Sequence, residues 1–276
     1  MKIMNKQFLI FSDLDGTLLD HKTYSFEAAN PALDALKLRN IPLIFCSSKT
    51  RREIELYREL TGNLHPFISE NGGGIYVPAD YDTNSFEYDM KTNGYKVIVL
   101  GTRYDELVGV LNSIRNDTGI KLKLFSEMEI SEISEYTGLD AKLATLSTMR
   151  EYDEPFVIFG NDKVAEAVQG EITGRGYNYT QGSMFHHIMG RNDKGKAVEI
   201  LIQIFKNRFP DLNSVGLGDS LNDLPMLEIV DIPILVQKSD GRYDQRIAFD
   251  NLIYADGVGP AGWNHSVLKL LGIEDE

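Results

Sequence analysis

Two pairs of carboxylates stand out among the residues able to do chemistry. Asp13 and Asp15 are two apart, follow the apolar run Phe8-Leu9-Ile10-Phe11, and precede Gly16 and Thr17. If strand geometry persists to the end of that run, a spacing of two places both carboxylates on one face. Paired carboxylates suit a hard cation such as Mg²⁺, and one can attack phosphorus while the other moves protons. An Asx-turn in an ordinary loop accounts for the same residues. Asp219 and Asp223, within Gly218-Asp219-Ser220-Leu221-Asn222-Asp223, again follow an apolar run and lie four apart, the spacing of one helical turn. A capped helix start explains either residue alone. It does not explain why a second acidic pair should end a neighbouring strand. Four converging carboxylates raise one another's pKa values, a repulsion that a divalent cation relieves.

A phosphate also needs donors and positive charge. Ser47 ends the second apolar run and offers a hydroxyl and a backbone N–H, while Lys194 opens a helix. A lysine in a first helical turn opposes the macrodipole and so calls for an anionic partner.

The elements that must hold these residues alternate. Strands are expected at Phe8 to Phe11, Ile41 to Cys46 and Pro66 to Ser69, with helices from Phe26 to Arg39 and Arg51 to Leu60 between them. Each strand runs into polar residues, the pattern of a parallel sheet with its site at the carboxyl ends of the strands. Past a linker at Pro78 to Asn84, a strand-helix-strand unit is expected from Lys96 to Phe125 and a similar one from Pro155 to Met189, separated by the helical stretch Ser131 to Met149. After Gly190 the first texture returns. The helix Lys194 to Arg208, the run Val215 to Asp219, the strand Ile232 to Val236 and the helix Pro260 to Leu270 complete the first sheet. The expected fold is a doubly wound α/β core built from 1–84 and 190–276, with an inserted α+β cap over 85–189.

Composition narrows the function classes. The 276 residues are 42% hydrophobic and 25% charged, which excludes a chain disordered or low in complexity throughout. A net charge of −13 argues against nucleic acid or an anionic membrane as partner. An anionic ligand therefore needs a local cationic pocket or a metal. The single cysteine, Cys46, permits no intrachain disulfide and no cysteine zinc cluster, so a reducing, cytoplasmic setting is expected. The run Phe8 to Phe11 is too short for a signal peptide's apolar region or a membrane span.

The four motifs, Asp13-Leu14-Asp15-Gly16-Thr17, Ser47, Lys194-Gly195 and Gly218 to Asp223, resemble in order those of the haloacid dehalogenase-like phosphohydrolases. The insertion after Ser47, with Glu70-Asn71-Gly72-Gly73, resembles the branch with a large α/β cap there. Within that branch, Cys46 to Arg51, Arg150 to Pro155, Asp193 to Ala197 and Gly259 to Trp263 resemble the mannosyl-3-phosphoglycerate phosphatase family. One departure is Gly182-Ser183-Met184, where that family would carry a glycine-rich turn with arginine.

The resemblance implies an aspartyl-phosphate on Asp13, with Asp15 protonating the leaving oxygen and then activating water. It implies Mg²⁺ held by Asp13, the Asp15 backbone carbonyl and Asp219, with Asp223 close by, and Ser47 and Lys194 on the transferring phosphoryl group. Lys49 and Asn71 from the core, Arg150, Glu154 and His187 from the cap, and Asn222 are the expected substrate contacts. The expected substrate is mannosyl-3-phosphoglycerate or its glucosyl analogue. The alternatives are a broader sugar-phosphate phosphatase, a phosphosugar mutase, and a ligand-binding protein on a retired catalytic scaffold. His186 and His187, adjacent in a strand, point to opposite faces and make a poor metal pair.

Overall fold

Burial along the first strand alternates between two hydrophobic clusters, Phe8 and Ile10 joining one and Leu9 and Phe11 the other. Strand β1 (Phe8–Ser12) is thus covered on both faces, as parallel sheets require. The computed structural model describes residues 7–181 and 185–273, and the departure at Gly182-Ser183-Met184 lies outside them. After β1 come α1 (Asn30–Leu38), β2 (Leu43–Cys46), α2 (Arg51–Thr61), β3 (Phe67–Ser69), β4 (Gly74–Pro78), β5 (Met90–Thr92) and β6 (Tyr95–Val99). Next are α3 (Tyr104–Thr118), β7 (Leu122–Leu124), α4 (Ile130–Thr137), α5 (Ala141–Ser147), β8 (Asp153–Ile158), α6 (Asp162–Gly174), β9 (Asn178–Gln181) and β10 (His186–Met189). The chain closes with α7 (Lys194–Lys206), β11 (Asn213–Gly218), α8 (Leu224–Ile229), β12 (Ile232–Gln237), β13 (Ile253–Val258) and α9 (Gly259–Leu270).

Nine strands form one sheet in the order β13-β12-β11-β1-β2-β3-β4-β6-β5. The strands from β13 to β3 run parallel, and β4, β6 and β5 extend them antiparallel. Leu33 of α1, Ile54 of α2 and Trp263 of α9 pack on one face, and Leu201 of α7 and Met226 of α8 on the other. This is the doubly wound α/β core that the alternation of strands and helices predicts.

One expectation needs correction. Residues 90–99, expected in the insertion, hold β5 and β6 of the large sheet, with Tyr76 of β4 opposite Val97 of β6. Their hairpin turns at Asn93 and Gly94, both at positive φ as a two-residue primed turn demands. The unit expected from Lys96 to Phe125 is therefore split, β6 lying in one sheet and β7 in the other. The second sheet, β7-β8-β10-β9, is antiparallel. Helices α3 and α6 cover it through Leu107, Leu111, Val168 and Ile172. Phe125, Ile133, Leu139, Ala144 and Phe185 form a separate cluster against which Tyr24 of the core packs. Among the described residues no helix is long and apolar enough to cross a membrane.

The two sheets are joined by a tight junction. The amides of Leu100 and Gly101 donate to the Gly73 carbonyl at 3.0 and 2.9 Å. The fully buried Glu70 carboxylate accepts the amides of Glu151 at 3.0 Å and Tyr152 at 2.8 Å. Burial pushes the Glu70 carboxyl up to about 8, outweighing the opposing pull of Arg150 and these amides. The unfolded chain releases that proton in the ordinary glutamate range, so the stability Glu70 contributes is complete at acidic pH and is lost as pH rises to about 8. Glu70→Gln should therefore flatten the decline of urea-melt stability over that window. An unchanged slope would contradict the assignment.

Packing at the same junction gives a second expectation. A Cβ added at Gly73 would overlap the Cβ of Tyr152, whereas one at Gly109, on the exposed side of α3, meets open space. Gly73→Ala should cost about 1–3 kcal/mol by overpacking. Gly109→Ala should gain roughly 0.5–1 kcal/mol through helix propensity. Chemical denaturation of both variants reads the difference, and equal midpoints would show that the junction is loose.

Candidate active site

The last residue of β1, Ser12, donates its hydroxyl to the Asp13 carbonyl at 2.6 Å and accepts from Trp263 Nε1 at 2.9 Å. The Asp13 amide donates to the Leu217 carbonyl of β11 at 2.9 Å. Together these bonds set Asp13 at the carboxyl ends of two adjacent parallel strands, where open α/β sheets place their ligands. The chain then turns through Gly16 at φ 78, and a Cβ there would stand 2.8 Å from Asp219 Oδ2. Glycine is what lets the loops after β1 and β11 meet.

Asp13, Asp219 and Asp223 are buried, and each offers an oxygen within 4.8 Å of the others. Lys194, the first residue of α7, spans two of them. Its Nζ lies 2.7 Å from Asp13 Oδ1 and 2.6 Å from Asp223 Oδ1. The anions that a lysine in the first turn calls for are these two carboxylates. Asp223 Oδ2 accepts the amides of Asp219 at 3.0 Å and Ser220 at 3.1 Å, so this residue ties the second acidic loop to itself.

Burial raises the Asp13 pKa well above the carboxylate range; Lys194 opposes the shift, and Asp223, Asp219 and Asp15 add to it. Burial followed by the Asp223 charge pushes Asp219 up to about 7. Burial works against the Lys194 charge, but Asp13 and Asp223 outweigh it and hold the ammonium charged. An all-oxygen donor set that releases protons on binding suits a hard divalent cation. The carboxylate of Asp15 stands outside the cluster, with Oδ2 3.0 Å from Lys49 Nζ and Oδ1 buried without a hydrogen-bond partner.

Beside the cluster lies a cavity of about 90 Å³. Asp13, Asp15, Ser48, Lys49 and Asn222 form its core wall, and Phe125, Arg150, Pro155, Phe185 and His187 face them from the second sheet and its flanking loops. Lys49 also contacts Glu53 at 3.3 Å and lies over the Tyr24 ring at 5.1 Å. Ser47 is fully buried, its hydroxyl accepting the Lys49 amide at 3.2 Å and its carbonyl the Asn71 amide at 3.0 Å. The residues of that loop that line the cavity are Ser48 and Lys49. Asn71 sits in the left-handed region at φ 54 and donates to Asp153 Oδ2 at 2.6 Å, while Asn222 donates to Asn71 Oδ1 at 3.1 Å.

Glu154 is a correction. It is fully buried away from the cavity, its Oε1 accepting the amide and hydroxyl of Ser126 at 3.0 and 2.8 Å. Alternation along β8 explains this, since Asp153 and Pro155 share the face toward the site and Glu154 takes the other. His186 and His187 do diverge, with Tyr179 meeting one and Asp153 the other. The reading from sequence missed Asp153, Tyr24 and Glu53. For Asp153 the signal was present in the same alternation, because it stands two before Pro155 and opposes Met189 across the ladder, two past His187.

A family model for haloacid dehalogenase-like hydrolases matches residues 10–246. The chain is 49% identical over 264 residues to the glucosyl-3-phosphoglycerate/mannosyl-3-phosphoglycerate phosphatase of Methanococcoides burtonii, covering 96% of this chain and 97% of that one. It is 37% identical over 265 residues to the protein of the same name from Persephonella marina, covering 95% and 97%. Among solved structures, a Thermoplasma acidophilum protein superposes with a TM-score of 0.68 at 16% identity, over 98% of this chain and 100% of that one, which is a likeness of fold. With its acidic cluster, its bridging lysine and the match across most of its length, this chain belongs to the haloacid dehalogenase-like hydrolases.

Proposed function

We propose that the chain is a Mg²⁺-dependent phosphomonoesterase acting on mannosyl-3-phosphoglycerate and glucosyl-3-phosphoglycerate, releasing phosphate and the glycosylglycerate, a compatible solute. The observation that carries this reading is the buried cluster of Asp13, Asp219 and Asp223 about Lys194, opening on a cavity whose far wall carries Arg150 and His187. The names of the two relatives support the substrate. A lone buried Cys46 fits a reducing compartment, and we place the enzyme in the cytoplasm.

In this reading Asp13 attacks phosphorus and carries the phosphoryl group as an aspartyl-phosphate. Asp15, whose Oδ1 is unpartnered, protonates the departing glycerate oxygen and then takes a proton from the water that releases phosphate. Lys194 keeps positive charge beside the attacking carboxylate, and the loop of Ser47, through Ser48 on the cavity wall, supplies donors to the phosphoryl oxygens, with Ser47 itself buried behind it. Asp13, the Asp15 carbonyl and Asp219 would hold Mg²⁺, with Asp223 orienting the loop beside them. Bound there, the ion supplies charge neutralisation between carboxylate and phosphate. The substrate contacts are Lys49, Arg150, His187 and Asn222, with Asn71, buried and off the cavity wall, holding Asn222 and the second sheet acting as a cap.

Phosphate release from both glycosyl-phosphoglycerates and from mannose 6-phosphate, with and without Mg²⁺, tests the reading. Turnover should require the ion and strongly favour the glycosyl-phosphoglycerates, and Asp13→Asn should lower it by at least about 10³-fold. Equal rates on mannose 6-phosphate would make the enzyme a general sugar phosphatase, and full activity of Asp13→Asn would remove the nucleophile.

A further inference from the structure

The cap carries a buried carboxylate for which the chemistry above has no use. Asp153, at the start of β8, is fully buried and does not line the cavity. Its Oδ1 meets His187 Nδ1 at 2.8 Å and Arg150 Nη1 at 3.5 Å, and its Oδ2 accepts from Asn71 Nδ2 at 2.6 Å. One carboxylate thus joins two cap side chains on the cavity wall to a core side chain that is itself bonded to Asn222. Burial alone would neutralise it, yet the facing His187 ring, Arg150 and Asn71 hold it below the ordinary carboxylate range. Burying an ionised carboxylate is costly, and a packed apolar side chain would serve a purely structural role at least as well.

The arrangement leaves an imidazole and a guanidinium on the cavity wall. His187 uses Nδ1 on Asp153, so its Nε2 is the nitrogen left for a ligand. Arg150 lies over the Phe125 ring at 5.4 Å and donates to the Ser48 carbonyl at 3.3 Å, while its buried Nε has no hydrogen-bond partner. These groups line the same cavity as Asp13 and Lys49. A glycosyl-phosphoglycerate carries two anionic groups, and Lys194 with the acidic cluster serves only the phosphate. The glycerate carboxylate needs its own cationic, hydrogen-bonding wall.

We infer that Asp153 is a positioning residue for substrate recognition: it aims His187 and Arg150 at the carboxylate of the glycerate moiety and keeps them in register with Asn71 of the core. The inference rests on the substrate reading given above. Asp153 itself touches no substrate. Its effect is carried by the orientation of the imidazole and guanidinium, and a recognition wall built this way acts on substrates that bear a carboxylate and not on phosphate esters in general.

The test is steady-state kinetics of the Mg²⁺-loaded full chain on mannosyl-3-phosphoglycerate and on p-nitrophenyl phosphate, which has no carboxylate. Asp153→Asn should lower kcat/KM for mannosyl-3-phosphoglycerate roughly tenfold or more beyond its effect on p-nitrophenyl phosphate, with the excess in KM. Combined with His187→Gln, its effect should be less than additive, because it acts partly through that ring. If Asp153→Asn does not fold, Asp153→Glu carries the same comparison, its displaced carboxylate shifting selectivity in the same direction. Equal losses on both substrates, a loss confined to kcat, or full additivity would reduce Asp153 to a strut between cap and core and overturn the inference. A wild-type enzyme with no preference for mannosyl-3-phosphoglycerate over p-nitrophenyl phosphate would overturn the substrate reading, and this inference with it, before any variant is made.

Discussion

The ammonium of Lys194, held 2.7 Å from Asp13 and 2.6 Å from Asp223, is the contact on which the rest of the site depends. Carboxylates crowded within 4.8 Å in a buried setting repel one another, and their raised pKa values record it. One buried lysine compensates part of that charge, and in the proposed function a divalent cation would complete the balance. For the lysine to reach both acids, α7 must begin where β1 and β11 end. The parallel pairing of β1 with β11 and the packing of Leu201 beneath them make that so. Trp263, bonded to Ser12 from the opposite face of the sheet, fixes the same strand end. The fold is in this sense a device for bringing three loops to one point.

A second constraint couples the core to the cap. Glu70 grips the amides of Glu151 and Tyr152, and one residue later Asn71 reaches Asp153. Both residues are non-glycine and at positive φ, a conformation that persists only where the surroundings enforce it. The same three-residue turn therefore anchors the cap strand and presents Asn71 to the loop holding Asn222. Substrate chemistry and cap position share a few hydrogen bonds, and this gives remote substrate groups a route to influence the reacting centre.

Much of this was legible in the sequence, and the physical reasons for the exceptions differ. Apolar runs that stop at Asp13, Ser47 and Asp219 identify parallel strands and their functional ends, because a doubly covered strand has little choice of composition. Lys194 was legible because its place in a first helical turn is unfavourable without an anion. The strand at Lys96 to Leu100 is expected in the insertion and β5 is not expected at all, because half-exposed antiparallel strands look alike whichever sheet they extend; the turn at Asn93-Gly94 is the signal that went unused. Glu154 is misplaced because alternation along β8 separates it from Asp153 and Pro155, but which of the two faces meets the core is set by the partners across the ladder. Tyr24 and Glu53 meet at Lys49 on the cavity wall, a relationship of space that no local pattern encodes.

The central claim, that Asp13 carries the phosphoryl group, is tested most directly by trapping. Enzyme mixed with mannosyl-3-phosphoglycerate labelled in its phosphate, quenched in acid during turnover and digested, should yield label on the peptide that contains Asp13. Hydroxylamine should remove that label, as expected of an acyl phosphate. Label absent from protein throughout turnover, while phosphate is released at the full rate, would show that water attacks the substrate directly and would contradict the account.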